Sequence, residues 1–290
     1  MIEDASETLL LGPLSLDIFL PDGPTLPGGG ALNMAWHWQT LGVPFELLTR
    51  IGDGDPEPFL AFLDRHGIRY AREAIVVRGR SAAIDIEINA DREPHMNNFV
   101  EGVWATYRLS AVEEALLPQA SQLHVILVEG AIAELGRLHA AGILEGLDVS
   151  ADFLGFRHYD VDRLAGTMAA VDLGFVGWPG ALDDPIVSGM RGVAHDLGRV
   201  LVVTLGSRGV QVFDGRPGGT DRWFDVTPVR VMGTTVGCGD AFVAYFLAAW
   251  WRTGNLATAV THGNVGGARA TGWLRPLPPD AYEDVRSLTG

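Results

Sequence analysis

The chain has 290 residues, enough to bury one large core, and its 47% hydrophobic and 20% charged residues are typical of a folded protein. A formal net charge of −15 argues against a general nucleic-acid or anionic-membrane binder, because both need a basic surface. The acidic start lacks the basic region of a secretory signal, and the longest apolar run, 241–251, is too short to span a bilayer. The only cysteine, Cys238, excludes an internal disulfide and fits a reducing compartment, so we expect a soluble cytoplasmic protein.

The N-terminal third predicts strands and helices joined by glycine-rich turns. In chain order we expect strands at 8–12 and 15–20, turns at 21–27, a helix at 34–41, a strand at 45–51 and a helix at 57–66. The run Gly28 to Gly30 allows a ligand close to the backbone, and Asn33 offers both a donor and an acceptor. The alternative is a flexible loop with Asn33 in solvent. Asp53 and Asp55 are interpreted as solvated loop charges.

A different pattern follows, in which apolar and polar residues alternate. Ile84, Ile86 and Ile88 alternate with polar neighbours, which is typical of a sheet with one face in water. Such strands do not suit a sheet covered on both faces. We therefore predict one domain over 1–290 with a small β-sheet lid, built from strands at about 14–20 and 68–103, over a cleft or against a partner subunit.

From Ser110 onward the pattern changes to alternating strands and helices, beginning with a capping box at Ser110–Glu113. We expect strands at 123–128, 147–150, 173–176 and 199–204, helices at 132–141, 161–170, 185–197 and 256–271, and a β-rich segment at 223–232. This alternation predicts an α/β fold, with a mainly parallel sheet and helices on both faces. Ligands bind at the carboxyl ends of such strands, where Glu129, Asp152, Thr204 and Asp240 fall.

The stretch 233–242 is the strongest candidate for chemistry. Gly237 and Gly239 let the backbone turn with several N–H groups pointing one way, and the helix that follows adds its positive end. An acid beside such an anion site, here Asp240, can take a proton from an attacking hydroxyl while the amides hold a phosphoryl group. The alternative is that Asp240 only caps the helix.

Two further segments suit a nucleotide. Thr204 ends the most strand-like run, and Gly206 and Gly209 bracket a loop that permits close approach of a phosphate or ribose, or that forms an ordinary turn. The small-residue helix 256–271 carries Asn264 and either packs closely or leaves room for a flat ring. No histidine cluster has metal-ligand spacing, so we predict no metal site made by the protein alone.

Taken together, Asp17, Gly28-Gly29-x-x-x-Asn33, Thr204-x-Gly206-x-x-Gly209 and Gly237-Cys-Gly-Asp240 resemble the PfkB/ribokinase family of carbohydrate kinases. The resemblance runs from about Leu10 to Trp273. Within the family, 101–110 and 138–142 are similar to stretches of fructosamine (fructoselysine) 6-kinases. The resemblance implies a ribokinase-like three-layer sandwich with a lid that in many members also forms a dimer interface.

The resemblance also implies ATP-dependent phosphorylation of a sugar-type hydroxyl with Mg²⁺, and it assigns roles to particular residues. Asp240 is expected to be the base, beside an anion hole made by the amides of Gly237, Cys238 and Gly239. The positions expected near the sugar are Asp17, Gly28, Gly29, Asn33, Glu101 and Glu129. The positions expected near ATP are Thr204, Gly206, Gly209 and Asn264. The implied partners are a sugar substrate, ATP and a second copy of the chain.

The chain departs from the family at three places. Thr234 stands where an aspartate usually supports the anion loop and a monovalent-cation site, which argues against potassium activation. The Asn-x-x-Glu motif that helps organise magnesium is missing at 177–180. Cys238 replaces an alanine, either as a tolerated small residue or as a reactive thiol at a helix start. The leading hypothesis is a sugar or sugar-amine kinase; the alternatives are a kinase for another ketose or a nucleoside, and a catalytically weak binding homologue.

Overall fold

The protein was analysed as a computed structural model that describes residues 8–156 and 159–283, and its backbone is organised by two large β-sheets. In chain order the strands are β1 (Thr8–Leu11), β2 (Ser15–Leu20), β3 (Thr25–Gly28), β4 (Glu46–Leu48), β5 (Ile51–Gly52), β6 (Val76–Val77), β7 (Ala82–Ile88), β8 (Pro94–Val100), β9 (Gln122–Ile126), β10 (Asp148–Asp152), β11 (Leu173–Gly177), β12 (Val200–Thr204), β13 (Val210–Asp214) and β14 (Arg222–Phe224).

Helices connect most of these strands. They are α1 (Gly30–Leu41), α2 (Glu57–Arg65), α3 (Arg72–Ile75), α4 (Ala111–Glu114), α5 (Glu129–Ala140), α6 (Val161–Met168), α7 (Pro185–Leu197), α8 (Cys238–Thr253) and α9 (Leu256–Ala270). Within the described ranges, no helix combines the length and apolar character needed to cross a bilayer.

The main sheet has eight strands in the order β14-β13-β12-β11-β10-β9-β1-β4. The strands from β12 to β4 are parallel, whereas β13 and β14 join as antiparallel neighbours at one edge. The carboxyl ends of β1, β9, β10, β11 and β12 therefore meet at one edge of the sheet, where an α/β fold places its ligands. The predicted mainly parallel sheet is confirmed.

Each face of this sheet buries its own apolar layer. Adjacent residues of β1 point to opposite faces, so Leu10 packs with Trp38 among α1, α2, α8 and α9, while Leu9 packs with Leu138 among α5, α6 and α7. Because both faces are covered, the sequences of the inner strands are continuous apolar runs and do not alternate between apolar and polar residues. This is the predicted three-layer sandwich.

The second sheet, which we call the lid, has four strands in the order β3-β2-β7-β8. On its inner face, Phe19 and Ile86 are buried against Val236, and Ile84 and Ile88 pack against the same cluster. The opposite face carries the polar residues of the alternating pattern. The period-two pattern thus describes a sheet with one face over the 233–242 region.

Three segments differ from expectation. The predicted turns at 21–27 contain part of β3, which pairs with β2 because the chain reverses within Leu20–Pro24. The segment 68–77 is outside the lid sheet, since β6 pairs only with β5. The β-rich segment 223–232 is a strand only to Phe224, because β14 is the sheet edge and the chain then leaves toward α8.

The interpretation of Asp55 as a solvated charge is wrong, whereas Asp53 is exposed as predicted. Asp55 is 7% exposed, and its Oδ1 accepts hydrogen bonds from the backbone nitrogen of Ser81 at 3.0 Å and from its hydroxyl at 2.5 Å. Asp53 accepts from the nitrogen of Gly79 at 2.9 Å. Both carboxylates therefore fasten the β5 loop to the chain that enters the lid, and the bond to Asp55 satisfies the buried amide of Ser81.

A buried ion pair joins the β4–β5 connection to the segment before α5. The Nη1 of Arg50 donates to Glu113 Oε1 at 2.6 Å, and the Arg50 guanidinium lies 5.1 Å from the centre of the Tyr107 ring. Glu113 also completes the predicted capping box with Ser110. Removing one member of a buried pair leaves an uncompensated charge, which is strongly destabilising.

We predict that Arg50→Met lowers the free energy of unfolding by about 3–5 kcal/mol, because Glu113 then stays buried without its partner. Urea denaturation measures this change. The matched control is Arg72→Met, which breaks the exposed Arg72–Asp64 pair of 2.5 Å and should change the free energy of unfolding much less, because solvent screens this pair. Equal effects of the two substitutions would show that the buried pair is not a stabilising contact.

Candidate active site

The start of α8 places backbone amides at the ligand edge of the main sheet, and that of Cys238 donates to the carbonyl oxygen of Thr235 at 3.3 Å. Gly237 precedes the helix in the left-handed conformation with φ 75°, and a Cβ there would lie 2.8 Å from the Cα of Pro276. Among the described residues, no side chain caps the helix. The amides at Gly237, Cys238 and Gly239 therefore lie at the positive end of α8 without a side-chain acceptor, which suits an anion.

Asp240 lies in the first turn of α8 and is bound by Asn33 rather than capping the helix. The Nδ2 of Asn33 donates to Asp240 Oδ2 at 2.7 Å, although the two residues are 207 positions apart. The helix-cap interpretation of Asp240 is therefore wrong. Asn33 is 4% exposed, and its Oδ1 has no hydrogen-bond partner among the described residues. The bond to a carboxylate fixes this orientation, since the reversed amide would face Asp240 with an oxygen.

Asp17 joins this pair from the inner face of the lid. It accepts a hydrogen bond from the hydroxyl of Ser15 at 2.8 Å and is also bonded by the backbone of Gly29. A Cβ on Gly28 would lie 2.1 Å from Asp17 Oδ2, so only glycine fits there. The structure thus brings the predicted residues Asp17, Gly28, Gly29, Asn33 and Asp240 to one place.

Three carboxyl groups share this region, those of the buried Asp17 and Asp152 and of the half-buried Asp240. Burial, which disfavours the charged form, raises the pKa of Asp17 to about 7, of Asp152 to about 7 and of Asp240 to about 6. The negative charge of Asp240 further raises the pKa of the other two. Asp152 ends β10 and accepts from the nitrogen of Leu154 at 2.7 Å. The sequence places it at a strand end but shows no motif that would assign it a role.

No ready-made metal cluster accompanies these carboxyls. Within residues 8–156 and 159–283, no three or more His, Cys, Asp or Glu side chains are arranged to hold a metal ion.

The predicted nucleotide loop follows β12. Gly206 and Gly209 have φ of 62° and 146°, and between them the guanidinium of Arg208 donates to the carbonyl oxygens of Pro179 at 2.9 Å and Gly180 at 2.5 Å. The oxygen of Thr204 accepts from the nitrogen of Trp178 at 2.8 Å. The loop is therefore held against 178–180, at the position where the Asn-x-x-Glu motif is missing.

Asn264 lies half-buried on α9, the helix that packs against α8. The packing is close because glycines face α8: a Cβ on Gly267 would lie 3.4 Å from the carbonyl oxygen of Cys238. A Cβ on Gly263 would lie 2.8 Å from the ring of Phe242. The small residues of this helix were predicted either to pack closely or to leave room for a flat ring. Gly263 and Gly267 pack closely against α8.

The two predicted glutamates are placed differently. Glu129 is the first residue of α5, and both of its carboxylate oxygens accept from Arg163 Nη2 at 2.6 Å near the surface. Glu101 precedes a 3-10 turn, and its Oε1 is buried without a hydrogen-bond partner in the described part of the chain. Among the described contacts, no hydrogen bond joins either glutamate to Asp17 or Asp240.

The unusual residues of the 233–239 loop have structural roles. Burial, and secondarily the charge of Asp240, raises the pKa of Cys238 to about 12, which is opposite to what a reactive thiol requires. Thr234 is 3% exposed, and its hydroxyl accepts from the nitrogen of Val236 at 3.3 Å while its own nitrogen donates to Trp273 at 2.7 Å. Thr234 therefore closes the turn without a charged side chain.

Comparison with known proteins shows which family and which structures this chain is similar to. Residues 186–272 match the pfkB family of carbohydrate kinases, so this C-terminal part of the chain is similar to that family. The chain is 27% identical to fructoselysine 6-kinase of Escherichia coli, with 89% of this chain and 95% of that protein covered. It is 25% identical to cytidine kinase of Thermococcus kodakarensis, with 85% and 89% covered. The adenosine kinase structure from Sinorhizobium meliloti superposes with a TM-score of 0.77 at 19% identity, covering 96% and 97%, and shares the fold.

We predict that Asp240→Asn stabilises the protein at pH 8. The folded pKa of about 6 lies above the ordinary 3.8, so the cost of the buried charge is absent below pH 4 and complete above about pH 6. An uncharged asparagine avoids this cost and should raise the free energy of unfolding by about 1–3 kcal/mol at pH 8. Thermal unfolding of both proteins at pH 4 and pH 8 measures the difference. A gain of equal size at both values would contradict the account.

Proposed function

We propose that this protein is an ATP-dependent carbohydrate kinase of the pfkB family that phosphorylates a hydroxyl of a sugar or sugar-amine of the fructoselysine type, with Asp240 as the general base. The observation that carries the proposal is the partly buried Asn33–Asp240 contact of 2.7 Å. It holds a candidate base at the amino end of α8 and leaves Asn33 Oδ1 without a partner. An unpaired buried acceptor is costly, and a substrate hydroxyl would satisfy it.

The proton transfer follows from the two oxygens of Asp240. Oδ2 is occupied by Asn33, whereas a Cβ on Gly30 would lie only 3.2 Å from Oδ1, so the glycine keeps one side of Oδ1 open. The acceptor hydroxyl gives its proton to this oxygen as its own oxygen bonds to the γ-phosphorus, and the bond to ADP breaks. A pKa of about 6 leaves Asp240 mostly ionised at neutral pH yet basic enough for the transfer.

Charge that develops on the transferring phosphoryl group is met by fixed dipoles. The amides of Gly237, Cys238 and Gly239 lie at the start of α8, where the helix adds its positive end. Donors that are already in position stabilise a transition state without reorganisation. A glycine at 237 is required because its backbone is left-handed and packs against Pro276.

The sugar is proposed to lie between the lid and α1. Asp17 and Asn33 offer oxygen acceptors for its hydroxyls, and the close backbone at Gly28 and Gly29 leaves no room for larger side chains. The substrate class is supported by the similarity to fructoselysine 6-kinase over most of both chains. Glu101, whose Oε1 is buried without a partner among the described residues, is kept as a secondary candidate near the acceptor.

ATP is proposed to lie over the Gly206–Gly209 loop and beside Asn264, with Thr204 at its strand end. Bound Mg²⁺ neutralises phosphate charge, and beside a nucleotide it needs only one or two carboxylates plus water. The segment 177–180 has no carboxylate, whereas Asp152 ends the neighbouring strand and interacts electrostatically with Asp240. Asp152 therefore is the carboxylate that we propose would bind Mg²⁺.

Two consequences concern ions and assembly. Thr234 has no charge to hold a monovalent cation, so we propose that activity does not require potassium. We also propose a cytoplasmic homodimer through the outer face of the lid, where Leu20 and Val100 are 37% and 58% exposed.

Substrate profiling tests the function. Fructosamines, plain ketoses and nucleosides would each be incubated with MgATP, with and without potassium, while ADP release and the phosphate ester are measured. We expect turnover with a fructosamine and no potassium requirement. Turnover confined to nucleosides or plain ketoses would overturn the substrate class. A thermal shift with a sugar but no ATP consumption would identify a binding homologue.

We predict that Asp240→Asn lowers kcat by several orders of magnitude because the hydroxyl loses its proton acceptor. The dissociation constant for MgATP should change little, since Asp240 is assigned to the acceptor side. The matched control is Asp196→Asn on the exposed face of α7, which should keep wild-type turnover. Near-normal turnover of the Asp240 variant would remove it as the base.

We predict that Asp152→Asn weakens the effect of magnesium on nucleotide binding. Calorimetry of ATP binding with and without Mg²⁺ should show a gain from magnesium that is about tenfold smaller than in wild type, because one carboxylate ligand is lost. Binding of metal-free ATP should be unchanged or slightly tighter. Asp162→Asn, at the exposed start of α6, serves as the control. An unchanged magnesium effect would exclude Asp152 from the metal.

A further inference from the structure

The tip of the β7–β8 hairpin reaches the 233–239 loop directly. The backbone nitrogen of Thr235 donates to the carbonyl oxygen of Arg92 at 3.1 Å, and Arg92 Nη1 donates to the carbonyl oxygens of Gly233, at 3.1 Å, and of Met232. Arg92 itself sits in a tight turn with φ 65°, closed by a bond from its nitrogen to Asn89 at 3.0 Å. Both the backbone and the side chain of one lid residue thus bind the same loop.

The opposite side of the loop is held by the segment after α9. The nitrogen of Gly233 donates to Thr271 at 2.8 Å, and the nitrogen of Thr234 donates to Trp273 at 2.7 Å. A Cβ on Gly233 would lie 1.9 Å from the Trp273 carbonyl oxygen, so the two backbone segments are in close contact and only glycine fits between them. The loop therefore lies between a fixed segment of the main domain and a contact that only the lid provides.

The lid links this contact to the acceptor residues. Asp17 on β2 is in register with Ile84 on β7, and Ile86 on β7 is in register with Met96 on β8, so the hydrogen-bonded sheet connects Asp17 to the hairpin tip. A sheet of four paired strands moves largely as one body. A displacement of the lid that carries Asp17 away from the acceptor would therefore also withdraw Arg92 from Gly233.

The hydrogen bonds from Arg92 to Met232 and Gly233 can form and break without leaving a buried polar group unpaired. A guanidinium is a planar donor that can bind adjacent carbonyl oxygens at once, and it stays charged at all working pH values. The carbonyl oxygens of Met232 and Gly233 belong to an irregular segment, so no strand ladder satisfies them. Water can replace Arg92 at these oxygens when the lid opens, so neither state leaves a polar group without a partner.

We propose that Arg92 is a positioning residue that fastens the closed lid to the 233–239 loop, so that the amides at the start of α8 reach their working geometry only when the lid covers the acceptor. This proposal rests on the proposed kinase function for its catalytic consequence. The Arg92 side chain touches neither the assigned base nor the anion-hole residues among the described contacts, and it acts through the backbone of Met232 and Gly233.

The first test is kinetic and uses the full chain with MgATP and fructoselysine. Arg92→Ala should lower kcat/KM for the acceptor about ten- to a hundredfold, because small misplacement of a reacting group has effects of that size. The dissociation constant for MgATP should stay within about twofold of wild type. Arg92→Lys, which keeps one charged donor, should recover part of the loss. Arg78→Ala, an exposed arginine near the lid base, should behave as wild type.

The second test needs no activity, so failure of the proposed function and failure of this inference are distinguishable. Hydrogen exchange of residues 233–239 would be measured without ligand in wild type, Arg92→Ala and Arg78→Ala. Faster exchange in the Arg92 variant alone supports the fastening even if fructoselysine is not the acceptor. Unchanged exchange, or acceptor kinetics equal to wild type, would overturn it.

Discussion

The hydrogen bond from Asn33 to Asp240 is the contact on which the rest of the site depends. It joins the first helix to the helix that starts the anion site, two elements that meet only because α1 and α8 pack on the same face of the main sheet. The inner face of the lid contributes Asp17, which lies on β2. Asn33 and Asp240 come from two helices of one layer and Asp17 from the lid sheet, so the site exists only in the complete fold, and its side chains are held by packed elements rather than mobile loops.

This arrangement has a cost in stability. Asp17 and Asp152 are buried and Asp240 is half-buried beside them, and each has a raised pKa because its charged form is poorly solvated. Nothing in core packing requires three such groups. Acids with shifted pKa values are expected where a protein trades stability for chemistry, and here Asp152 ends a strand of the parallel sheet and Asp240 lies in the first turn of α8.

The fold and the centre of the site were predictable from sequence because their signals are local. Glycines before a helix, continuous apolar strands and the Gly237–Asp240 turn each mark one position, and the parallel sheet brings those positions together. Arg92 and Asp55 were not predictable, because an arginine in a turn and an acid in a loop look solvated until tertiary contacts are known. Glu129 was predicted near the ligand because it follows a strand of the parallel sheet. In the structure its carboxylate instead pairs with Arg163.

The central claim is that Asp240 acts as a base with a pKa set by its buried surroundings. Carbon-13 NMR titration of the Asp240 carboxyl, compared with the pH dependence of kcat/KM, tests it most directly. The account predicts that the carboxyl titrates near pH 6 and that kcat/KM falls about tenfold per unit below that pH, because protonated Asp240 cannot accept the hydroxyl proton. A carboxyl that titrates near 3.8, or a rate that does not change between pH 5 and pH 7, would contradict it.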